Sequence, residues 1–287
     1  MLTRLVLFLM WLLHWLPLSL LAPLGRAFGR LVWRFGHERR HVTLTNLHLC
    51  FPQMPVAERE ALARRHFEVF GRSFLERGLL FWASADRLRR LASIEGLERL
   101  EVVQDRPVIL FVPHFVGLDM GWTRLTLERN MVSIYADQKN LLFNSALREG
   151  RLRFGHSQLF SRQEGTRKTI RAMREGRPFY YLPDMDYGQR DTIFVPFFGF
   201  PTATITGLTR LARLTGAAVV PVITRMNETG YTVTIGEPWA DFPGASIEGD
   251  TRRMNAFIEA VVPKMPEQYF WLHKRFKTRP PGEKGVY

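Results

Sequence analysis

The sequence predicts an α/β fold with a mostly parallel central sheet flanked by helices, preceded by an N-terminal membrane-anchor helix. Three patterns predict it: an uncharged apolar start, a long stretch of helical spacing, and short apolar runs that alternate with helical segments from Pro107 onward. At 287 residues, with 46% hydrophobic and 13% aromatic residues, the chain can bury a full core. We divide it into an anchor over residues 1–25 and a globular domain over residues 26–287.

The anchor is predicted from Leu5 to Leu24, twenty positions without a formal charge. About 20 apolar residues cross the roughly 30 Å hydrocarbon core of a bilayer, although Pro17 and Pro23 interrupt a straight helix. Arg4 is the only early charge and no A-x-A cleavage site follows, so we expect an uncleaved anchor rather than a signal peptide. The arginines after the segment predict that this side stays cytoplasmic.

The globular domain has two predicted parts, a helical first part over residues 26–100 and an α/β core over residues 101–287. The stretch from Val56 to Trp82 has helical apolar spacing and no proline. In the core, strands are predicted at 107–113, 131–136, 178–184, 217–224 and 231–238, and helices near 117–129, 140–154, 165–175 and 204–215. Ligands of such sheets gather beyond the carboxyl ends of strands, where His114 and Asp184 are expected.

The net charge of +13 is unevenly distributed. Three blocks, 26–40, 148–177 and 274–284, contain nineteen of the 40 basic residues and five of the 27 acidic ones. This clustering favours an anionic partner, such as lipid headgroups, a phosphorylated substrate, an acidic protein or nucleic acid, over a merely solvated basic surface. The single cysteine, Cys50, cannot form an internal disulfide, which indicates a reducing compartment. We expect its side chain to be buried and to pack in the core rather than to react.

One pair of residues, His114 and Asp119 in VPHFVGLDM, has a sequence spacing that suggests a catalytic role. The spacing alone is weak, because eight histidines and 27 acidic residues in 287 positions predict about one such pair by chance. Residues five apart face different ways on one helix, so His114 must precede the helix for the two side chains to meet. The apolar strand that ends at His114, and Gly117 after it, supply that arrangement. Asp119 is then expected to accept a hydrogen bond from the imidazole and leave the other nitrogen as a general base.

Several longer segments resemble the lipid A late acyltransferases, the Kdo2-lipid IVA lauroyl/myristoyl transferase type that is related to the lysophospholipid acyltransferases. The resemblance spans Arg40 to Tyr287 in order. It includes NLHLCFP at 46–52, HFVGLD at 114–119, EGRLR at 149–153, LPDMDYGQRDTIFVPFFG at 182–199, TGLTRLARLTGAAVVPV at 206–222 and PEQYFWLHKRFKTRPPG at 266–282.

The resemblance implies an acyl-carrier-protein-dependent O-acyltransferase that acylates a hydroxyl of a hydroxyacyl chain on a Kdo-lipid A precursor, an anionic glycolipid. It implies that His114 is the general base with Asp119 as its partner, and that Arg151 and Asp184 complete the polar centre. We expect Arg151, Asp184, Asp186 and Arg190 to bind substrate. No metal and no cofactor are expected. The location it implies is the Gram-negative inner membrane, with the catalytic domain on the cytoplasmic side.

The sequence departs from the family at two positions. The acidic position is commonly Glu, so Asp119 is one methylene shorter, and Ala136 stands where relatives often have Arg, which weakens the substrate inference more than the catalytic one. Arg151 keeps its charge at every relevant pH and can bind a phosphate or a developing oxyanion. Asp184 and Asp186 lack the further ligand spacing of a metal site, which favours hydrogen bonding to Arg or substrate.

Two apolar segments allow two interpretations each. The block FVPFFGFP, with Phe194, Phe197 and Phe198, is a candidate acyl groove or packed core. The tail YFWLHKRFKTR suits an interface with anionic headgroups or a docking site for acidic acyl carrier protein.

Two other functions stay open at this point. The first is a glycerophospholipid or lysophospholipid acyltransferase, because residues 164–167 form the tetrapeptide EGTR of that branch, although here it is expected to begin a helix. The second is a non-catalytic membrane protein that binds anionic lipid or nucleic acid. Nucleic acid is disfavoured, since the sequence has no zinc-ligand spacing, no glycine-rich phosphate loop and no RNA-binding aromatic signature.

Overall fold

The computed structural model describes residues 1–287, with the side chain of Gln163 left out. Ten α-helices and nine strands follow in the order α1 (Leu2–Leu13), α2 (Leu18–Phe35), α3 (His37–Cys50), α4 (Val56–Trp82), α5 (Ala85–Leu91), β1 (Ala92–Glu95), β2 (Val108–Phe111), α6 (Leu118–Leu125), β3 (Val132–Tyr135), α7 (Leu141–Leu152), β4 (Gln158–Ser161), α8 (Thr166–Arg174), β5 (Phe179–Tyr181), β6 (Thr192–Phe197), β7 (Phe200–Ile205), α9 (Gly207–Thr215), β8 (Ala218–Met226), β9 (Tyr231–Ile235) and α10 (Ile247–Val261).

The main sheet has seven strands in the order β1-β9-β8-β2-β5-β3-β4. Every neighbouring pair is parallel apart from β8 and β9, which are antiparallel. The predicted α/β fold with a mostly parallel sheet is therefore confirmed, as are the five predicted strands and the helix from Val56 to Trp82. β1 lies before residue 101, so the sheet begins inside the part that was predicted to be helical.

Strand β2 lies at the centre of the sheet and is buried on both faces. Ile109 and Phe111 pack into one hydrophobic cluster with α8, α9 and α10, whereas Val108 and Leu110 pack into a second cluster with α6 and β9. A strand that is covered on both faces needs apolar residues throughout, which explains the unbroken run PVILFVP. The order of buried strands places the ends of β2, β5 and β3 side by side.

The N-terminal segment forms two helices rather than one. α1 ends at Leu13 and α2 begins after Pro17. Proline has no backbone N–H to donate, so a continuous helix is interrupted there. Within the described residues, no helix combines the length and the apolar character needed to cross a membrane. The single N-terminal anchor helix expected from the sequence is therefore not found, and α1 and α2 stand in its place.

These first helices pack against α4. A Cβ on Gly71 would lie 2.4 Å from the backbone nitrogen of Gly29, so two glycines allow α2 and α4 to approach closely. Gly78 does the same for α1, because a Cβ there would lie 2.4 Å from the carbonyl oxygen of Met10. The segment predicted as a separate anchor is thus joined to the helical part by close backbone contacts.

Candidate active site

The candidate site lies where β2 and β5 end. His114 follows β2 and precedes α6, and Asp184 follows β5, which is the parallel neighbour of β2. The Val112 N–H, one residue after β2, donates to the Tyr181 carbonyl oxygen at 2.8 Å, so the two strands stay paired at the end of β2. The predicted position of His114, after a strand and outside the helix, is confirmed.

Asp184 holds the His114 imidazole. Nδ1 of His114 is 2.6 Å from Oδ1 of Asp184, and the His114 backbone N–H donates to Oδ2 over 2.8 Å. The Tyr269 hydroxyl also donates to Oδ2, at 3.2 Å. Burial alone would raise the pKa of Asp184, but the imidazole and its hydrogen bonds outweigh burial and lower it, so the carboxylate is ionised at neutral pH.

Asp119 has a different partner. Its Oδ1 accepts from Nη2 and Nε of Arg151, at 2.7 and 3.2 Å, and its Oδ2 lies 3.7 Å from Nη2 of Arg77. Burial would raise the pKa of Asp119, but the charges of Arg151 and Arg77 outweigh it and keep the pKa below the usual range. The expectation that Asp119 accepts from the imidazole is corrected: Asp184 is that acceptor, because it follows the neighbouring strand β5 and faces Nδ1.

Arg151 is positioned by its helix. It lies in the last turn of α7, whose first turn is capped by the Asn140 side chain, which accepts from the Phe143 N–H at 3.0 Å. The carbonyl oxygen of Arg151 accepts from the indole N–H of Trp122 on α6, at 2.9 Å. The structure therefore brings together His114, Asp119, Arg151 and Asp184, four of the polar residues singled out in the sequence.

The other two predicted polar residues, Asp186 and Arg190, lie outside this cluster. Asp186 accepts from the Gly188 N–H at 2.9 Å and from the Thr278 N–H and hydroxyl at 2.7 and 2.8 Å, so it ties the C-terminal segment to the turn after β5 rather than facing a substrate. Arg190 lies at the cavity rim with its side chain 96% exposed and pairs with Asp191 at 3.6 Å.

A cavity of about 670 Å³ opens beside this cluster. His114, Asp119, Arg77 and Arg151 form its polar wall. Its apolar wall is contributed by Phe70, Phe115, Leu118, Trp122, Ile134, Leu159, Phe179, Leu182, Ile205 and Phe270. Within the described residues, no group of three or more His, Cys, Asp or Glu side chains is arranged to hold a metal ion.

The predicted acyl-groove residues lie elsewhere. Phe194, Phe197 and Phe198 belong to the hairpin of β6 and β7, in which Phe197 pairs with Phe200 across the turn Phe198-Gly199. Both turn residues have positive φ, 51° and 78°, as a two-residue hairpin turn of this type requires. Phe197 is fully buried against the rings of Tyr269 and Phe276. None of the three lines the cavity, and the burial of Phe197 favours the alternative interpretation, packed core, at that residue.

Two residues of the site were missed in the sequence, Arg77 and Tyr269. Arg77 is one charged residue in a long amphipathic helix, and 42 positions separate it from Asp119. Tyr269 reaches the site because the C-terminal segment pairs with the loop after β2, at Phe115 and Tyr269. No local pattern marks either contact, since both depend on how distant segments pack.

Residues 1–278 match the family described as Bacterial lipid A biosynthesis acyltransferase. Two similar relatives are from Escherichia coli (strain K12). A Lipid A biosynthesis lauroyltransferase is 34% identical and a Lipid A biosynthesis palmitoleoyltransferase 32% identical, each over 97% of this chain and 92% of the relative. The crystal structure of a 1-acyl-sn-glycerophosphate acyltransferase from Thermotoga maritima aligns with 86% of this chain and 97% of its own, at 16% identity and a TM-score of 0.39, a likeness too weak to bear on function. The resemblance found in the sequence is confirmed by these relatives, and the chain belongs to the bacterial lipid A biosynthesis acyltransferase family.

Proposed function

We propose that this chain transfers a fatty acyl group from acyl carrier protein to a hydroxyl of a hydroxyacyl chain on a Kdo-lipid A precursor. The observation that supports it most is the imidazole of His114 on the cavity wall, with Nδ1 bound to Asp184 over 2.6 Å. Because Nδ1 is held by a carboxylate, Nε2 is the nitrogen that can accept a proton.

The proposed reaction needs only these groups and the two substrates. Nε2 of His114 takes the proton of the acceptor hydroxyl as its oxygen attacks the thioester carbonyl carbon. The tetrahedral intermediate then expels the thiolate, which takes the proton back from the imidazolium. An ester and a free thiol result, and the ionised Asp184 stabilises the imidazolium between the two steps.

Asp119 is assigned a positioning role in this proposal. Its carboxylate holds Arg151 through two hydrogen bonds and lies between Arg151 and Arg77. Arg151, on the cavity wall, and Arg190, at the rim, bind anionic parts of the substrates, as we expected from the sequence. Asp184, which we expected to bind substrate, instead orients the base.

The acyl chain is assigned to the apolar wall of the cavity. Aromatic and aliphatic side chains from α4, α6, β3 and β5 line it next to His114. Such a surface suits a hydrocarbon chain, since pockets for apolar ligands are lined in this way.

We place the protein at the inner membrane, with its site on the cytoplasmic side. α1 and α2 expose a row of large apolar side chains, and Leu141 and Leu142 at the start of α7 are exposed as well. The Asn140 side chain donates to the Thr3 hydroxyl at 2.7 Å, which joins these two exposed regions. An exposed apolar surface of this extent suits attachment to a membrane interface.

Substitution of His114 by Ala tests the proposed chemistry. Loss of the general base should lower transfer of acyl groups from acyl carrier protein to the lipid A precursor by about 1,000-fold or more. The variant should still sediment with anionic phospholipid vesicles, because α1, α2 and α7 are unchanged. Mass spectrometry of the lipid product and a sedimentation assay measure the two properties separately.

Three results would contradict the proposal in different ways. Unchanged transfer by His114→Ala would remove His114 as the base. If the wild-type protein stayed in the supernatant when vesicles were sedimented, the membrane assignment would be wrong. Salt-sensitive binding of DNA without any acyl transfer by the wild-type protein would favour the binding module that the sequence left open.

A further inference from the structure

A small side pocket of about 130 Å³ adjoins the main cavity on the side away from Asp184. The two share Arg77, Asp119, Tyr135 and Arg151 among their lining residues, so the pocket is continuous with the cavity. A single water needs only about 10–15 Å³ of such space, so the pocket can hold a larger polar group.

The side pocket has an excess of positive charge. Three arginines line it, Arg77 from α4 and Arg148 and Arg151 from one face of α7, three residues apart. The only acidic side chain among its lining residues is Asp119. Three guanidinium groups and one carboxylate therefore line the pocket, and a second carboxylate, Asp137, lies behind its wall, where it accepts from the pocket-lining Asn144 at 3.1 Å.

Of the two more buried arginines, Arg77 has the weaker contact with Asp119. Its side chain is 24% exposed, and the closest approach to Asp119 is 3.7 Å, which is beyond hydrogen-bond length. Burial lowers the pKa of Arg77, and the neighbouring charge of Arg151 lowers it further against the opposing effect of Asp119. Placing an arginine here costs free energy that a bound anion would offset.

We propose that this pocket binds a phosphate group of one of the two substrates, with Arg77 and Arg148 as ligands beside Arg151. The inference rests on the proposed function, because it assigns part of a substrate to the same cavity. A phosphate has enough oxygens to accept from several guanidinium groups at once, and arginine forms paired hydrogen bonds with phosphate. The phosphate can come from the acceptor glycolipid or from the phosphopantetheine arm of the donor.

Direct binding tests the pocket without any acyl transfer. The full-length protein in detergent is titrated with inorganic phosphate at constant ionic strength, with chloride as the reference, and its thermal unfolding is followed. Phosphate should raise the unfolding temperature of the wild-type protein. Arg77→Met should weaken phosphate binding by about tenfold and Arg148→Gln by a few-fold, since Arg148 is more exposed.

Controls separate a binding role from a structural one. Arg77→Lys keeps the charge and should bind phosphate better than Arg77→Met. Arg174→Gln, at an exposed position on α8, removes an arginine outside the pocket and should behave as the wild-type protein does. Phosphate that stabilises no more than chloride does, or equal binding in Arg77→Met, Arg148→Gln and the wild type, would overturn the proposal.

Kinetics identify the source of the phosphate. If it belongs to the acceptor, Arg148→Gln raises KM for the lipid A precursor and leaves KM for acylated acyl carrier protein unchanged; the reverse result assigns it to the donor. A lower kcat in Arg77→Met with both KM values and phosphate binding unchanged would mean that Arg77 acts only on Asp119, and the proposal would be wrong. Absence of acyl transfer by the wild-type protein would contradict the proposed function, while the phosphate titration would still show whether the pocket binds phosphate.

Discussion

Two carboxylates of the site have different surroundings, Asp184 behind His114 and Asp119 on the cavity wall. Asp184 is fully buried and accepts from the imidazole, from a backbone N–H and from the Tyr269 hydroxyl. Asp119 is partly exposed and lies between the two guanidinium groups of Arg151 and Arg77. The main charged neighbour of Asp184 is one group that can become a cation, and those of Asp119 are two permanent cations; Arg275 acts on Asp184, and His114 on Asp119, as smaller effects.

This difference separates two tasks within one cavity. At Asp184, charge balances when His114 is protonated, so the surroundings stabilise the imidazolium of the proposed reaction. At Asp119, positive charge is in excess before any substrate binds, so the surroundings favour an anionic ligand. In the proposed reaction, proton transfer therefore takes place at His114 and Asp184, and anionic groups bind near Asp119.

The largest effect is expected from Asp184→Asn. The amide is neutral, so it cannot stabilise the imidazolium or favour the tautomer with hydrogen on Nδ1. We expect kcat to fall on the order of 1,000-fold with little change in either KM, as for an orienting carboxylate of a catalytic histidine. Steady-state rates with both substrates measure this, and a change confined to KM would assign Asp184 to substrate binding instead.

A smaller effect of a different kind is expected from Asp119→Asn. Removing the carboxylate leaves Arg77 and Arg151 facing each other, which should lower stability by about 2 kcal/mol, between the values for exposed and buried ion pairs. We expect kcat/KM to fall about 100-fold, and inorganic phosphate to bind more tightly because one negative charge is gone. Chemical denaturation, kinetics and the phosphate titration measure these three changes.

The matched control at this position is Asp119→Glu. It keeps the negative charge and lengthens the side chain by one methylene, so it should retain most of the wild-type activity. If Asp119→Asn lowered kcat more than Asp184→Asn and left phosphate binding and stability unchanged, Asp119 rather than Asp184 would be the partner of His114.

The sequence predicted the elements of the fold better than the contacts of the site. Apolar runs such as that of β2 mark buried strands, and the spacing from Val56 to Trp82 marks one long helix, because these patterns are local. The hairpin of β6 and β7 was missed, since its apolar residues resemble a ligand groove as much as a packed core. The two edge strands, β1 and β4, and the helix α10 were also missed.

In the site, sequence identified His114, Asp119, Arg151 and Asp184 but paired them wrongly. The proximity of His114 and Asp119 in the chain suggested a direct hydrogen bond, whereas the parallel pairing of β2 and β5 brings Asp184 to Nδ1 from 70 residues away. Strand order cannot be derived from spacing. The family match favours the acyltransferase of lipid A biosynthesis among the three functions that the sequence left open.

A second histidine, His66 on α4, shows what an imidazole does without a carboxylate. It is fully buried, and its Nδ1 lies 2.8 Å from the Glu267 carbonyl oxygen, to which it donates. Among the described residues, Nε2 has no hydrogen-bond partner. Burial lowers the pKa of His66 to about 4 from an ordinary value of 6.5, so the folded protein keeps this ring neutral.

The smallest predicted effect follows from that difference and concerns stability rather than activity. The unfolded chain takes up a proton at His66 near pH 6.5 but the folded chain only near pH 4, so the contribution is fully present above pH 6.5 and is lost as the pH falls to 4. The loss is about 3 kcal/mol for this group. His66→Gln should flatten the pH dependence of the free energy of unfolding in that window. It should not abolish it, because burial also lowers the pKa of His273 to about 4. His156→Gln, at an exposed position, is the control. If the free energy of unfolding changed equally with pH in His66→Gln and His156→Gln, burial would not be keeping His66 neutral.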